Sequence, residues 1–195
     1  MRAKQDVKQL TVMPFATAKD FETWLKKNHA SAAGIWLQIF KKDSGQISLT
    51  YMEALDVALC YGWIDSQKKS YDAKSYIQKF TPRRPKSIWS KVNIGHIARL
   101  TKAQKLQPAG IAQVEAAKKD GRWERSYDSP KNMKVPEDFL VELKKHKKAH
   151  AFFSILTKAN VYAIAWRLQT AKKIETRQKR VKAILEMLKL GKSFH

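Results

Sequence analysis

At 195 residues, 44% of them hydrophobic and with six Trp, the chain is long enough to bury a core, which excludes global disorder. Lys and Arg number 39 against 17 Asp and Glu, and the net charge of +22 favours acidic partners: nucleic acid, anionic lipid, or phosphorylated and carboxylated ligands. One cysteine, Cys60, excludes an internal disulfide and a Cys-rich zinc site, and no run approaches the roughly 18 apolar residues of a membrane span.

The opening MRAKQDVKQLTVMPF has no apolar h-region, so a cytoplasmic protein is expected. Thr17 is placed to cap a helix over 18–29 that carries Phe21, Trp24 and Leu25 on one face. Gly34 then opens GIWLQIFKK, a strand with apolar residues on both faces, as expected of one covered on both sides. In ISLTYMEALDVALCYG, Thr50 and Glu53 form a capping box, and Gly62 suits the left-handed position that ends a helix. Tyr51, Ala54, Leu55, Ala58 and Leu59 share its buried face. Glu53, Asp56 and Cys60 fall together on the opposite side, where they line a cleft or face solvent.

SQKKSYDAKSYIQKFTPRRP reads as two strands joined by a turn over 72–75, the second ended by Pro82 and Pro85. Asn93 is expected to cap a helix through Gln104, and a second helix follows over 108–120. Pro130 and Pro136 bracket the linker SPKNMKVPED. Beyond it the pattern predicts helices over 137–147, 149–156, 158–171 and 174–190. The predicted class is therefore α+β: a small antiparallel or mixed sheet with packed helices, followed by an all-helical C-terminal segment. The expected domains are 1–128 and 137–195, joined by the linker 129–136. Each side of residue 129 carries a net +11, which makes the last 67 residues about twice as charge-dense.

The strongest local signal is FTPRRPKSIWS. Proline restricts the backbone around Arg83 and Arg84, whose planar donors suit a carboxylate or phosphate. Ser87, Ser90 and Asn93 add donors, Trp89 can stack a ring, and Asp65 can orient an arginine or accept from a ligand hydroxyl. These seven residues form the candidate site for a small anionic or sugar-like ligand. The opposing structural reading pairs the arginines with Asp65, Asp56 or Glu53 to pin two strands together. An enzyme using Asp65, Glu53 or Cys60 beside the arginines is the alternative, although no His adjoins Cys60 in sequence and a small buried residue explains it as well.

No metal and no cofactor is expected. His146 and His150 stand at i, i+4 but lack a third ligand, and no Gly-rich phosphate loop occurs. In the last helix, Arg177 falls inside the apolar stripe of Val181, Ile184, Leu185 and Leu188. It is expected to meet an acid from the first part of the chain, or to help build a basic pocket between the parts. Lys172, Lys179, Lys182 and Lys189 point the other way as a solvated face. Nucleic acid remains a further reading: no recognition helix, RNP or zinc-finger motif is present, but helices 158–190 can lay a basic face on phosphates.

Two stretches, TYMEALDVALCYGWIDS and FTPRRPKSIWSKVN, resemble the YdeI/OmpD-associated (OmdA) family, the bacteriocin-protection proteins of bacteria. The resemblance extends to VPEDF at 135–139 and to AIAWRLQTAKKIETRQKRVKAILEML at 163–188, nearly the whole chain. Ile174 departs from it where relatives often carry Pro. It implies a role in resistance to bacteriocins and cationic antimicrobial peptides and an association with an outer-membrane porin, in a family often described as periplasmic. It implies no reaction for any residue.

Overall fold

The computed structural model describes residues 10–129 and 131–195; the linker's Pro130 and the first nine residues of the opening stretch lie outside the described residues. The chain divides into two compact units. Of the described residues, one unit takes 10–88 together with Asn93–Glu124, and the other takes Trp89–Val92 together with 125–129 and 131–195.

The first unit is built on a mixed four-stranded sheet of order β1-β2-β4-β3. Strand β1 (Val12–Pro14) runs parallel to β2 (Ile35–Phe40). Strand β4 (Ser75–Pro82) lies antiparallel to β2 and to β3 (Trp63–Ser70), with a register shift between Asp65 and Lys68. Helix α1 (Ala18–Asn28) starts at Thr17, whose hydroxyl accepts from Asp20 N at 3.2 Å while the Asp20 carboxylate accepts from Thr17 N at 3.0 Å. Helix α2 (Tyr51–Cys60) starts on the predicted box: Thr50 N donates to Glu53 Oε2 at 2.7 Å, and Glu53 N to Thr50 Oγ1 at 3.3 Å.

The buried face follows from side-chain period. Ile35, Leu37 and Ile39 alternate inward along β2 and join Phe80, Phe21, Leu25, Leu55 and Leu59 in the core. Trp63 is 1% exposed, edge-on to Trp24 at 5.8 Å, and its indole N–H donates to the His29 carbonyl at 3.0 Å. The other face of β2, expected to be covered as well, is only half-buried at Trp36, Gln38 and Phe40.

Helices α3 (Lys91–Lys102) and α4 (Pro108–Lys119) follow the sheet. Asn93 is the third residue of α3 and does not cap it. Lys91 N donates to the Tyr127 carbonyl at 2.9 Å, and Ser90 bridges to Tyr127, so a distant backbone segment sets the helix start. Strand β1 was not expected; three residues are too few to show a period.

The second unit holds α5 (Glu137–Lys144), α6 (Lys147–Ser154), α7 (Lys158–Gln169) and α8 (Ile174–Lys189). Phe139, Leu143, Ala149, Ile164, Leu168, Ile184, Leu185 and Leu188 form its core cluster. The expected linker is tied to this unit: Asn132 N and Met133 N donate to the Ser129 carbonyl, and Gln169 Nε2 donates to the Lys134 carbonyl. Among the described residues no helix is long and apolar enough to cross a membrane. The chain is thus α+β with C-terminal helices, as the sequence predicts.

Candidate functional site

The two arginines of FTPRRP are separated by the fold. Arg83 is 5% exposed, and its Nη2 donates to the Ile88 carbonyl at 2.8 Å, closing the 83–88 loop on itself. Arg84 is exposed, and its backbone N–H donates to Ser87 Oγ at 3.1 Å. The Ser87 carbonyl accepts from the buried Arg122, whose Nε pairs with Asp120 at 2.7 Å. Asp65 accepts from the Tyr51 hydroxyl at 2.9 Å, which ties β3 to the first turn of α2. Asn93 is half-buried in α3. Trp89 and Ser90 belong to the second unit; Trp89 is 1% exposed, so its ring has no open face for a ligand to stack on. Arg83→Ala should cost about 2 kcal/mol, the scale of a lost hydrogen bond from a charged donor. Arg84→Ala should stay within about 0.5 kcal/mol of the parent, as for an exposed side chain. Urea denaturation of both variants checks the division.

Arg177 pairs with Asp138 of α5, inside the second unit. Its partner is therefore not an acid from residues 1–128, because α5 lies closer to the start of α8 than the stripe alone could reveal. A groove of about 580 Å³ is lined by this pair and by other residues of α5 and α8, Val181 and Leu185 among them.

The acids and thiol on the far side of α2 do meet in a cleft, within the first unit and of about 600 Å³. Val57, Cys60 and Leu100 are among its apolar lining residues, and Glu22, Glu53, Asp56, Lys19 and Lys105 among its polar ones. Asp56 is fixed from α3: His96 Nδ1 lies 2.8 Å from Oδ1, and Arg99 Nη2 donates to both carboxylate oxygens at 2.6 Å. Burial pushes the Asp56 carboxyl up, but the bonds from Arg99 and His96 outweigh it and hold it below the ordinary carboxylate range. Glu53 is also held low, chiefly by the Thr50 backbone N–H of its capping box. Cys60 is pushed up to about 11, first by burial and then by the charges of Asp56 and Glu22, so its thiol stays protonated at neutral pH.

Gln104 also lines this cleft and carries φ +56, the only positive φ among the described non-glycine residues. Its N–H donates to the Thr101 carbonyl and that of Lys105 to the Leu100 carbonyl, a Schellman end to α3 with Gln where Gly is usual. The positive φ is the left-handed turn of that helix end, and Gln104 stands there on the cleft wall. Sequence reasoning missed Gln104, His96 and Arg99. The contacts of the last two with Asp56 span 40 and 43 residues, and no local pattern announces them. Among the described residues no group of three or more His, Cys, Asp and Glu stands together to hold a metal.

Comparison with known families divides the chain in a similar place. Residues 132–191 match the family model described as Bacteriocin-protection, YdeI or OmpD-Associated. The stretches at 50–66 and 80–93 fall instead within residues 13–113, which match the model described as Domain of unknown function (DUF8412). No curated protein matches the chain, and no solved structure does. With just over half of its length inside the second of these matches, the chain belongs to the DUF8412 family, and it carries a bacteriocin-protection, YdeI or OmpD-associated segment at 132–191.

Proposed function

We propose that this protein serves bacteriocin protection by binding a small hydroxylated or amine-bearing ligand in the cleft of the first unit. The observation that carries the reading is the pinned carboxylate: Asp56 is held by two partners from α3 beside Glu22, Glu53 and Lys105. A cavity of about 600 Å³ is within the usual range for small-molecule sites, roughly 300–1,000 Å³. Its mixed charges and the Gln104 and Gln107 amides suit hydroxyls and ammonium groups.

Binding is better supported than turnover. A general acid or base works best with a pKa near the operating pH. Here Asp56 and Glu53 are held low and Cys60 is pushed up to about 11, so none of the three is poised. Direct capture of cationic peptides is disfavoured by the +22 charge of the chain itself.

The test is a thermal-shift panel of amino sugars, polyols and amino acids, followed by calorimetric titration. A member of the panel should bind, and Glu22→Lys together with Lys105→Glu should weaken it at least tenfold. Both side chains are exposed, so the double variant should keep the parent melting temperature. A panel without any binder, or binding indifferent to the double variant, sinks the cleft.

A further inference from the structure

The half-buried face of the sheet offers different chemistry. Trp36, Gln38 and Phe40 follow one another on it by the period of two, on the opposite side from Leu37 and the core. Lys79 stands directly across from Trp36 in the β2–β4 register. Lys69 pairs with Ile77 one step further along β3. The two ammonium groups lie 4.9 Å (Lys69) and 5.9 Å (Lys79) from the indole centroid. Asp65 is the only acid within the four strands, and it sits on the other face, bonded to Tyr51. Two cations from β4 and β3 therefore lie over one aromatic ring on a sheet face, with no strand carboxylate to neutralise them.

We propose that this face binds single-stranded nucleic acid, with a base stacked on Trp36 and the adjoining phosphates met by Lys69 and Lys79. Unpaired bases offer a π-face that a duplex hides, and aromatic side chains on sheets flanked by basic groups are suited to take it. The +22 charge adds long-range attraction for the phosphates. The same lysines also cover the ring with their aliphatic stems, and a purely structural role of that kind requires no oligonucleotide binding at all. Nor would an anionic lipid surface need an aromatic ring beneath the cations. The site is separate from the cleft and stands or falls without it.

The experiment is fluorescence anisotropy of a labelled oligothymidine strand with the full chain across 50 to 200 mM salt. Affinity should fall as salt rises, and a duplex of equal length should bind without dependence on Trp36. Trp36→Ala should weaken the strand's binding by about 5- to 150-fold, the range of one lost stacking contact. Trp36→Phe should restore most of it. Lys69→Ala with Lys79→Ala should flatten the salt dependence, and this pair decides the matter if Trp36→Ala melts early. The proposal is overturned by no binding at 50 mM salt, or by strand affinity that ignores all three positions. Capture by phosphatidylglycerol vesicles without binding to the strand also overturns it.

Discussion

Gly110→Ala is expected to destabilise the first unit by about 2–3 kcal/mol, lowering its melting temperature by about 5–10 °C. A Cβ at Gly110 would lie 2.3 Å from the Cys60 carbonyl oxygen, 2.8 Å from that of Leu59 and 2.9 Å from the Cys60 carbonyl carbon. All three are backbone atoms at the end of α2, so no side chain can swing away to make room. Helix propensity works in the opposite direction, since Ala is favoured over Gly by about 1 kcal/mol inside a helix. The clash should win because relief requires α4 to move off α2 as a body. Gln107 N donates to the same Cys60 carbonyl at 3.1 Å, and both residues line the cleft. The substitution should therefore also blunt ligand binding. Stability equal to the parent in urea and heat would show that the two helices slide freely.

That contact explains why the cleft was only partly legible beforehand. The angular count along α2 placed Glu53, Asp56 and Cys60 on one side, and the structure gathers them around one cavity. The wall opposite is supplied by α1, by the end of α3 and by the loop before α4, whose arrival depends on Gly110 packing against a carbonyl. Nothing near residue 56 in the chain says that His96 and Arg99 will reach it. Helices and turns with their own end signals were readable: the Thr50–Glu53 box, the hairpin turn at 72–75 and the four C-terminal helices. The start of α3 was not, because its first N–H is satisfied by Tyr127.

The arginine pair carries a further lesson in period. Arg83 and Arg84 follow directly on a strand, where successive side chains point to opposite sides. Alternation alone could have indicated that the two guanidiniums diverge, one into the body and one into solvent. Flanking prolines stiffen the backbone, but stiffness cannot make neighbours in an extended segment share a ligand. The cationic face around Trp36 was missed for a related reason. Apolar residues on both sides of β2 suggested burial on both, whereas Trp36 and Phe40 stay half-buried. Lys69 and Lys79 join that ring from two other strands.

Phe139→Ala should cost the second unit about 3–5 kcal/mol, the usual loss for a large aromatic in a packed core. Phe139 is 1% exposed on α5 and packs with Leu143, Ile164, Leu168, Ile184, Leu185 and Leu188, and Phe153 meets it at 6.5 Å. Every residue of that cluster falls between 139 and 188, inside the stretch matched by the bacteriocin-protection model. The matched segment thus holds all the buried residues of one hydrophobic cluster, with Phe194 just beyond it packed against them. The surrounding ion pairs cannot compensate: Arg177–Asp138, Lys145–Glu142 and Lys189–Glu186 lie at the surface, where such pairs contribute about 0–1 kcal/mol each. Removing the ring leaves a void among aliphatic side chains, and α5 loses its main attachment. Hydrogen exchange should show faster exchange at the amides of α5, α6, α7 and α8. Arg177→Lys, which disturbs only the paired rim, should leave them protected. If Phe139→Ala left those amides as slow as in the parent, the segment would owe its order to contacts other than this cluster.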